Sequence, residues 1–469
     1  MITHKSIILV LVCLLLLKLP IVFFIVPIFH KVTGASYEIN KFKDDYDQIA
    51  INVIKGNGYR YYPETADTLT RPPLYVLLLC SVFYLFGKSL LAVQVVNILL
   101  GLATVLVVRS LCLQLKLSNI ATLIAMALSF FHPAVVLAES RGGIESIFTL
   151  SLTLFVLLLY KALENNSRIY YAFAGLILGT SLLVKSLCLF FPLVLLIYFV
   201  IRDTPRKCWD NVVNVAVLTT VTLLVISPWI IRNYRLTESL VPTMTLSGTV
   251  AQEGLYVNKN FGTSRERYQL AEDAAKQRNE LATKLGFSFK PGFLTYFYES
   301  KDEVKFDRYL FAKTIQEYKE DPILFVQSAF MNFVRFWFQG RMWSATRMNV
   351  AFTLPFLLLA LIGIYLSLFP RFEAERAIVK PLQEASSKQS PVSNLIRSEK
   401  QSGNYLMPLL LFIGYFVLVH LPFQGLARYH VPIIPCMAIL ASIPLSAALY
   451  YAPSYWRLKE VFRTSMVQT

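Results

Sequence analysis

Charge is scarce in this chain. Only 16% of its 469 residues are Asp, Glu, Lys or Arg, against about 25% in an ordinary soluble domain. Histidine is rarer still. The five are His4, His30, His132, His420 and His430, and none has ligand spacing such as HExxH, so a zinc hydrolase of that kind is excluded. The six cysteines, Cys13, Cys80, Cys112, Cys188, Cys208 and Cys436, are scattered and mostly lie in apolar segments. With no CxxC or paired spacing, they support neither a disulfide framework nor a structural zinc site. Acidic residues are outnumbered 29 to 45, which leaves a formal net charge of +16. A basic balance suits nucleic acid, but here Lys and Arg stand at the ends of apolar runs, the pattern of membrane anchoring. Nucleic acid is therefore not an expected partner.

What is abundant is apolar sequence, at 55% of the chain. It comes in runs long enough to cross a bilayer. Ten candidate spans are 7–29, 89–113, 118–138, 144–163, 169–184, 187–202, 211–231, 350–369, 405–422 and 431–451. The first is too long for a signal-peptide core and lacks a small-residue cleavage site, so it reads as an uncleaved span. The run 72–87 opens with Pro72-Pro73 and is short; it is expected to lie at the interface. Lys and Arg in short loops put the N-terminus inside, since 109–116, 160–168, 202–207, 370–403 and 456–463 then all face the cytoplasm. The expected fold is an all-α polytopic membrane protein with interfacial helices and a small extracytoplasmic α or α/β domain. The expected organisation is an N-terminal transmembrane module, 1–231, with an outer first loop at 30–88. An extracytoplasmic domain follows at 232–349, and a C-terminal module at 350–469 carries a Ser-rich cytoplasmic loop at 371–403. Within the outer domain, 265–284 and 302–319 read as amphipathic helices, and 322–338 as interfacial, with Trp337 and several Phe for the headgroup zone.

The first outer loop contains KFKDDYDQIAINVIKGNGYRYYP and then LTRPPLY. Asp44, Asp45 and Asp47 precede or open a short helix, where acids are also simply favourable beside the helix dipole. Further along come His132-Pro133, then Glu145 in GGIESIF, GTSLLVK ending at Lys185, SPWIIRNY at 227–234 and RYHVPIIP at 428–435. All fall at predicted outer membrane edges.

In that order, these segments resemble the GT-C glycosyltransferases. The chain is most similar to the protein O-mannosyltransferase and aminoarabinose (lipid A) transferase superfamily. The resemblance covers most of residues 1–260 and the last two spans. It implies a GT-C-type bundle of about ten transmembrane helices that transfers a sugar from a polyprenyl-phosphate-linked donor. The acceptor would be a protein, lipid or glycan outside the cytoplasm, and the setting an inner or plasma membrane. In the family an Asp stands further ahead of the Tyr, where this chain has Phe42; Asp44 and Asp45 both stay open as the catalytic carboxylate. The family's Arg-Pro after the Gly-rich span is Lys185-Ser186 here.

Such a donor needs cations to receive the charge that develops on the departing phosphate. Arg suits this, being planar and permanently charged. By resemblance, Arg71 and Arg232 hold the lipid phosphate, with Lys185 and Arg428 as further candidates; snorkelling at span ends is the plain alternative. A hydroxyl acceptor must lose a proton, which assigns a general base to Asp44 or Asp45. Glu145 would orient the acceptor or share that role, or would merely cap a helix. Tyr46, Tyr59, Tyr75, Tyr256 and Tyr429 are candidates to stack on sugar or isoprenoid, although an interfacial aromatic belt accounts for them equally. His430 is a weaker site candidate, with packing the alternative. No cofactor is required by the resemblance, and no metal ligands are assigned, although clustered acids would accommodate Mg²⁺ or Mn²⁺. Two rival classes are a transporter or flippase of a lipid-linked saccharide and a surface-glycan ligase or polymerase. A transporter should show internal repeats or several broken spans. The only break visible in the sequence is near Lys185, and no repeat is evident.

Overall fold

Backbone in hydrocarbon must satisfy its own hydrogen bonds, and a helix does so within one segment. The computed structural model, which describes residues 4–28, 42–260, 265–368 and 406–449, follows that rule in every apolar run. Helix α1 (His4–Pro20) continues through a π-helical stretch, Ile21–Ile25, into one apolar helix of 22 residues, Ile7–Ile28. Five more described helices are long and apolar enough to cross a bilayer: α4 (Leu90–Gln114), α7 (Glu145–Asn165), α10 (Pro205–Thr237), α15 (Trp343–Leu368) and α17 (Ala427–Leu449). Between the first and last of these come α2 (Tyr46–Ile54), α3 (Pro73–Phe86), α5 (Asn119–Phe131), α6 (Pro133–Ser140), α8 (Arg168–Leu182), α9 (Phe191–Arg202) and α16 (Met407–Leu418).

Several expected spans take a different form. The run 118–138 is not one straight helix but α5 and α6, bent by 43° at His132. Pro133 has no N–H to continue the ladder and forces the residue before it out of the helical region; His132 is accordingly extended, with ψ 129°. The expected spans 169–184, 187–202 and 405–422 fall on shorter helices of 15 residues (α8), 12 residues (α9, led in by the tight turn Ser186–Cys188) and 12 residues (α16). Lys185 is extended (φ −157°) and separates α8 from α9. Helix α3 has 14 residues, too few to cross about 30 Å of hydrocarbon. It buries Tyr75, Val76 and Leu79 and exposes Leu77, Tyr84, Leu85 and Phe86. The start of the first outer loop and the loop 371–403 lie outside the described residues.

Helix α7 is the hub of the bundle and packs against α4 and α8, and α8 packs along α10. Phe148, Leu152, Phe155 and Leu159 repeat at helical spacing and are fully buried. Lipid tails supply no hydrophobic drive between helices, so close contact and polar links matter more; Thr222 of α10 donates to the carbonyl oxygen of Gly175 in α8 at 3.0 Å. A stronger link joins α1 to α6. Lys18 lies 2.6 Å from Glu139, both side chains at 0% exposure, and donates to the carbonyl of Phe130 at 2.5 Å.

Outside the bundle, 232–349 forms α11 (Ser247–Lys259), α12 (Arg267–Lys284), an antiparallel hairpin of β1 (Phe289–Lys290) and β2 (Tyr296–Phe297), α13 (Ser300–Glu320) and α14 (Pro322–Phe338). Glu266 and Gln269 make a capping box at the start of α12. Ala282, Phe297, Phe306 and Leu310 form a small separate core. This unit docks on the first outer loop: the Ala66 N–H donates to the carbonyl of Phe297 at 3.0 Å, and Ser300 Oγ to the carbonyl of Asp67 at 2.6 Å.

Candidate active site

The chain enters α2 through an unfavourable turn. Asp44 and Asp45 both have positive φ, 63° and 56°, the left-handed region that costs a residue with a Cβ roughly 1 kcal/mol or more. Two consecutive residues hold this conformation only if their surroundings fix them, and each is fixed. Arg71 Nη2 donates to the carbonyl of Asp44 at 3.0 Å. Arg428 Nη1 donates to Asp44 Oδ2 at 2.8 Å, and Arg341 lies 3.9 Å from Oδ1. Tyr296 donates its hydroxyl to Asp45 Oδ2 at 3.2 Å. Burial raises the Asp45 pKa above the ordinary carboxylate value, against the opposing pull of Arg71 and Tyr296. Asp47 points elsewhere, to Lys88 at 2.7 Å.

Arg71 is held as firmly. It precedes Pro72, which favours an extended backbone at 71. Its Nε donates to the Tyr61 hydroxyl at 3.1 Å, and its guanidinium sits 4.7 Å over the Tyr46 ring. Tyr61 and Thr70 share a hydrogen bond of 2.8 Å, as do Thr70 and Thr68. Behind them Glu303 of α13 accepts from Thr68 Oγ1 and the Leu69 N–H, both at 2.8 Å, and from Thr245. Burial pushes its carboxyl up to about 7, although those bonds pull it down. Tyr59 donates to the carbonyls of Arg71 and Pro72, each at 3.1 Å.

Glu145 is the first residue of α7 and is buried. The turn before it requires Gly142 at φ 57°, a glycine conformation. Tyr75 donates to the Gly142 carbonyl at 2.5 Å and Asn97 to that of Gly143 at 3.1 Å. Lys185, at the break between α8 and α9, feels the charges of Arg428, Glu145, Asp44 and Arg71. Its Nζ lies 4.5 Å from the Tyr429 ring centre. Asp44, Glu145, Arg71, Lys185 and Arg428 therefore form one cluster at one end of the bundle, with Tyr46, Tyr75 and Tyr429 among them. Arg71, Lys185 and Arg428 are three cations concentrated at that one place, where an anion would meet them.

Beside the cluster is a cavity of about 390 Å³, lined by Asp44, Arg71, Arg428 and Tyr429 and, across from them, by Arg341 and Tyr268. Asp45 lies behind Asp44, against the hairpin. Other sequence candidates stand apart. Arg232 donates to the Thr68 carbonyl at 3.0 Å and sits between the rings of Tyr59 (5.1 Å) and Trp229 (4.5 Å), bracing the loop. Tyr256 lines a different cavity of about 410 Å³ between α11, α12 and α13. His430 is buried with its Nδ1 3.1 Å from the Phe336 carbonyl and its ring stacked on Trp337. Among the described residues, no three His, Cys, Asp or Glu side chains are grouped as a metal ion needs.

Arg341, Tyr296 and Glu303 join the site from segments with no motif of their own. The sequence carries only a weak trace of Arg341, in the basic-aromatic stretch after α14. Lys18 and Glu139 had a clearer signal, since a lone charge within a spanning run is costly and seldom idle.

Residues 70–231 match the family model described as dolichyl-phosphate-mannose-protein mannosyltransferase. The matched segment holds Arg71, Glu145 and Lys185, and the resemblance read from the sequence and this match agree over it. No curated protein sequence matches the chain. Among solved structures, the oligosaccharyltransferase of Archaeoglobus fulgidus, in complex with zinc and sulfate, aligns over 90% of this chain at 12% identity and a TM-score of 0.46. The chain spans 46% of that protein's length. ArnT from Cupriavidus metallidurans bound to undecaprenyl phosphate aligns over 96% of this chain and 80% of its own, at 12% identity and a TM-score of 0.34.

Proposed function

We propose that this integral membrane protein is a GT-C-type glycosyltransferase that moves a sugar from a polyprenyl-phosphate donor to an acceptor outside the cytoplasm. The observation that carries the reading is the cluster itself: Asp44, held at its carbonyl by Arg71 and at its carboxylate by Arg428, beside Lys185 and lining a cavity. The family match over 70–231 supports the reaction class.

The donor phosphate would sit at the membrane face against Arg71 and Lys185. As the acceptor oxygen bonds to the anomeric carbon, the bond from that carbon to the phosphate oxygen breaks. The electron pair leaves with the polyprenyl phosphate, and the fixed cations stabilise it. The acceptor's proton passes to a carboxylate, and position takes precedence over basicity in choosing which. Asp44 faces the cavity, so it is the base; Arg428 holds its carboxylate and Arg71 its main-chain carbonyl. Glu145, behind Tyr46 and Tyr75, would orient the acceptor. The sugar would lie in the cavity, with Tyr429 and Tyr268 on its walls.

The test uses the purified protein in mild detergent with a panel of polyprenyl-phosphate sugars and no acceptor, so that water can accept. Free polyprenyl phosphate is measured. Release from one sugar donor, lost in Asp44→Asn and in Arg71→Ala, supports the reading. Release that persists in both variants refutes the mechanism. The bend at His132 and the break at Lys185 are features a carrier of lipid-linked saccharide would also have; a carrier moves its cargo without cleaving it, and the same assay separates the two.

A further inference from the structure

Among the contacts between the outer domain and the first loop, one hydroxyl reaches the strained Asp44–Asp45 turn. Tyr296, on β2, donates to Asp45 Oδ2, and the two residues are 251 positions apart in sequence. Its ring is buried, with the rings of Tyr61 at 4.9 Å and Tyr62 at 5.1 Å. Those neighbours set the ring's plane, and Gly292 makes room for it: a Cβ there would meet the Tyr296 ring at 2.4 Å. The hairpin is in turn tied to the loop by Lys290 on Glu64 at 2.6 Å and by the Ala66–Phe297 bond. The hydroxyl is therefore placed, not free to wander, and it meets the one acid of the strained pair that does not line the cavity. Arg71 and Arg428 hold Asp44, and among the described residues only Tyr296 donates to the Asp45 side chain. The charges acting on Asp45 are Arg71, Asp47 and Asp44, with Tyr61 beside Tyr296.

We propose that Tyr296 is a positioning residue: through Asp45 it holds the Asp44–Asp45 turn in its left-handed conformation, so that the catalytic loop is complete only when the outer domain is docked. The inference rests on the reading of Asp44 as the base. It names a role for the outer domain that the membrane module cannot supply.

Two measurements test it on the full-length protein in detergent. The first needs no activity: amide hydrogen exchange over residues 43–47 in wild type, Tyr296→Phe, Asp45→Asn and the double variant. Loss of a hydrogen bond to a charged group should speed exchange there by about tenfold. The double variant should be no faster than Tyr296→Phe, because once the hydroxyl is gone the side chain at 45 has lost its donor whether it is Asp or Asn. Unchanged exchange in Tyr296→Phe, or single effects that simply multiply, would overturn the proposal. The second is donor cleavage by the active donor of the panel. Tyr296→Phe should lower kcat while leaving the donor KM near wild type, with the same non-additivity towards Asp45→Asn. A rise in KM alone would overturn it, since that would place Tyr296 in donor binding. If wild type cleaves no donor, the transferase reading fails, and the exchange data still decide whether Tyr296 fixes the turn.

Discussion

Removing the carboxylate of Glu303 should undock the loop that carries Arg71. The side chain accepts from the Leu69 N–H, Thr68 and Thr245 and, among the described residues, has no cation within ion-pair distance. In Glu303→Ala the two threonine hydroxyls can rotate towards other partners, and Thr68 already shares a bond with Thr70. The Leu69 amide cannot, and Leu69 is fully buried. An orphaned buried donor costs about 1–3 kcal/mol, and each bond to a charged acceptor contributes about 1.5–3 kcal/mol. Allowing for the hydroxyls' recovery, the loop should loosen by about 2–4 kcal/mol. That corresponds to exchange at Leu69 and Thr70 faster by roughly 30- to 700-fold. Hydrogen exchange with mass spectrometry reads it directly, and cleavage of donor should fall with it as Arg71 loses its place. Exchange at 68–70 within threefold of wild type would refute the reasoning. The pH dependence has a definite sign. Burial raises this carboxyl from its ordinary value near 4.5 to about 7 in the folded protein, with Asp307 adding to the rise. A raised folded value contributes stability that is present at low pH and lost as pH rises through about 7. The wild-type melting temperature should therefore fall as pH rises from about 4.5 to about 7, and Glu303→Gln, a neutral copy of the protonated form, should flatten that slope. An unchanged slope in the Gln variant would contradict the assignment.

Two further outcomes follow from the packing. Lys18→Met or Glu139→Gln alone leaves a buried group without its partner and should destabilise by about 3–5 kcal/mol, whereas Lys18→Met with Glu139→Leu should recover most of the loss; melting curves in detergent read both, and a double variant as weak as the singles would be inconsistent with an ion pair of this kind. Tyr256→Ala should leave donor cleavage within twofold of wild type, because Tyr256 lines the second cavity; a loss of tenfold or more would connect that cavity to the reaction.

The membrane spans were legible because hydrophobicity is a local property: the runs around α4, α7 and α10 needed no knowledge of their neighbours. The bend at His132 was less so. Pro133 is the usual signal of a break, but the apolar run continues past it on both sides. Of the site, Asp44 and Arg71 were legible from spacing, since an acid before a Tyr and an Arg before two prolines stand close together in one loop. Arg428, a weaker candidate by sequence, proves to be an ion partner of Asp44 at 2.8 Å. Tyr296 and Glu303 carried no signal: each acts on the first loop from more than two hundred residues away, and nothing local distinguishes such a Tyr or Glu from any other in an amphipathic segment. Arg232 shows the converse. Its place at a span end suggested phosphate, while its rings and carbonyl partner make it a brace.

The bond between Asp44 and Arg428 joins residues 384 positions apart. A ribosome adding about 5–20 residues per second needs about 20–80 seconds to cover that interval. During that time Asp44 has already been translated and lacks its counter-ion. The nascent chain thus holds Asp44 and Arg71 in place of a complete cluster until the helix that opens at Ala427 is made, so the cluster can close only late in synthesis.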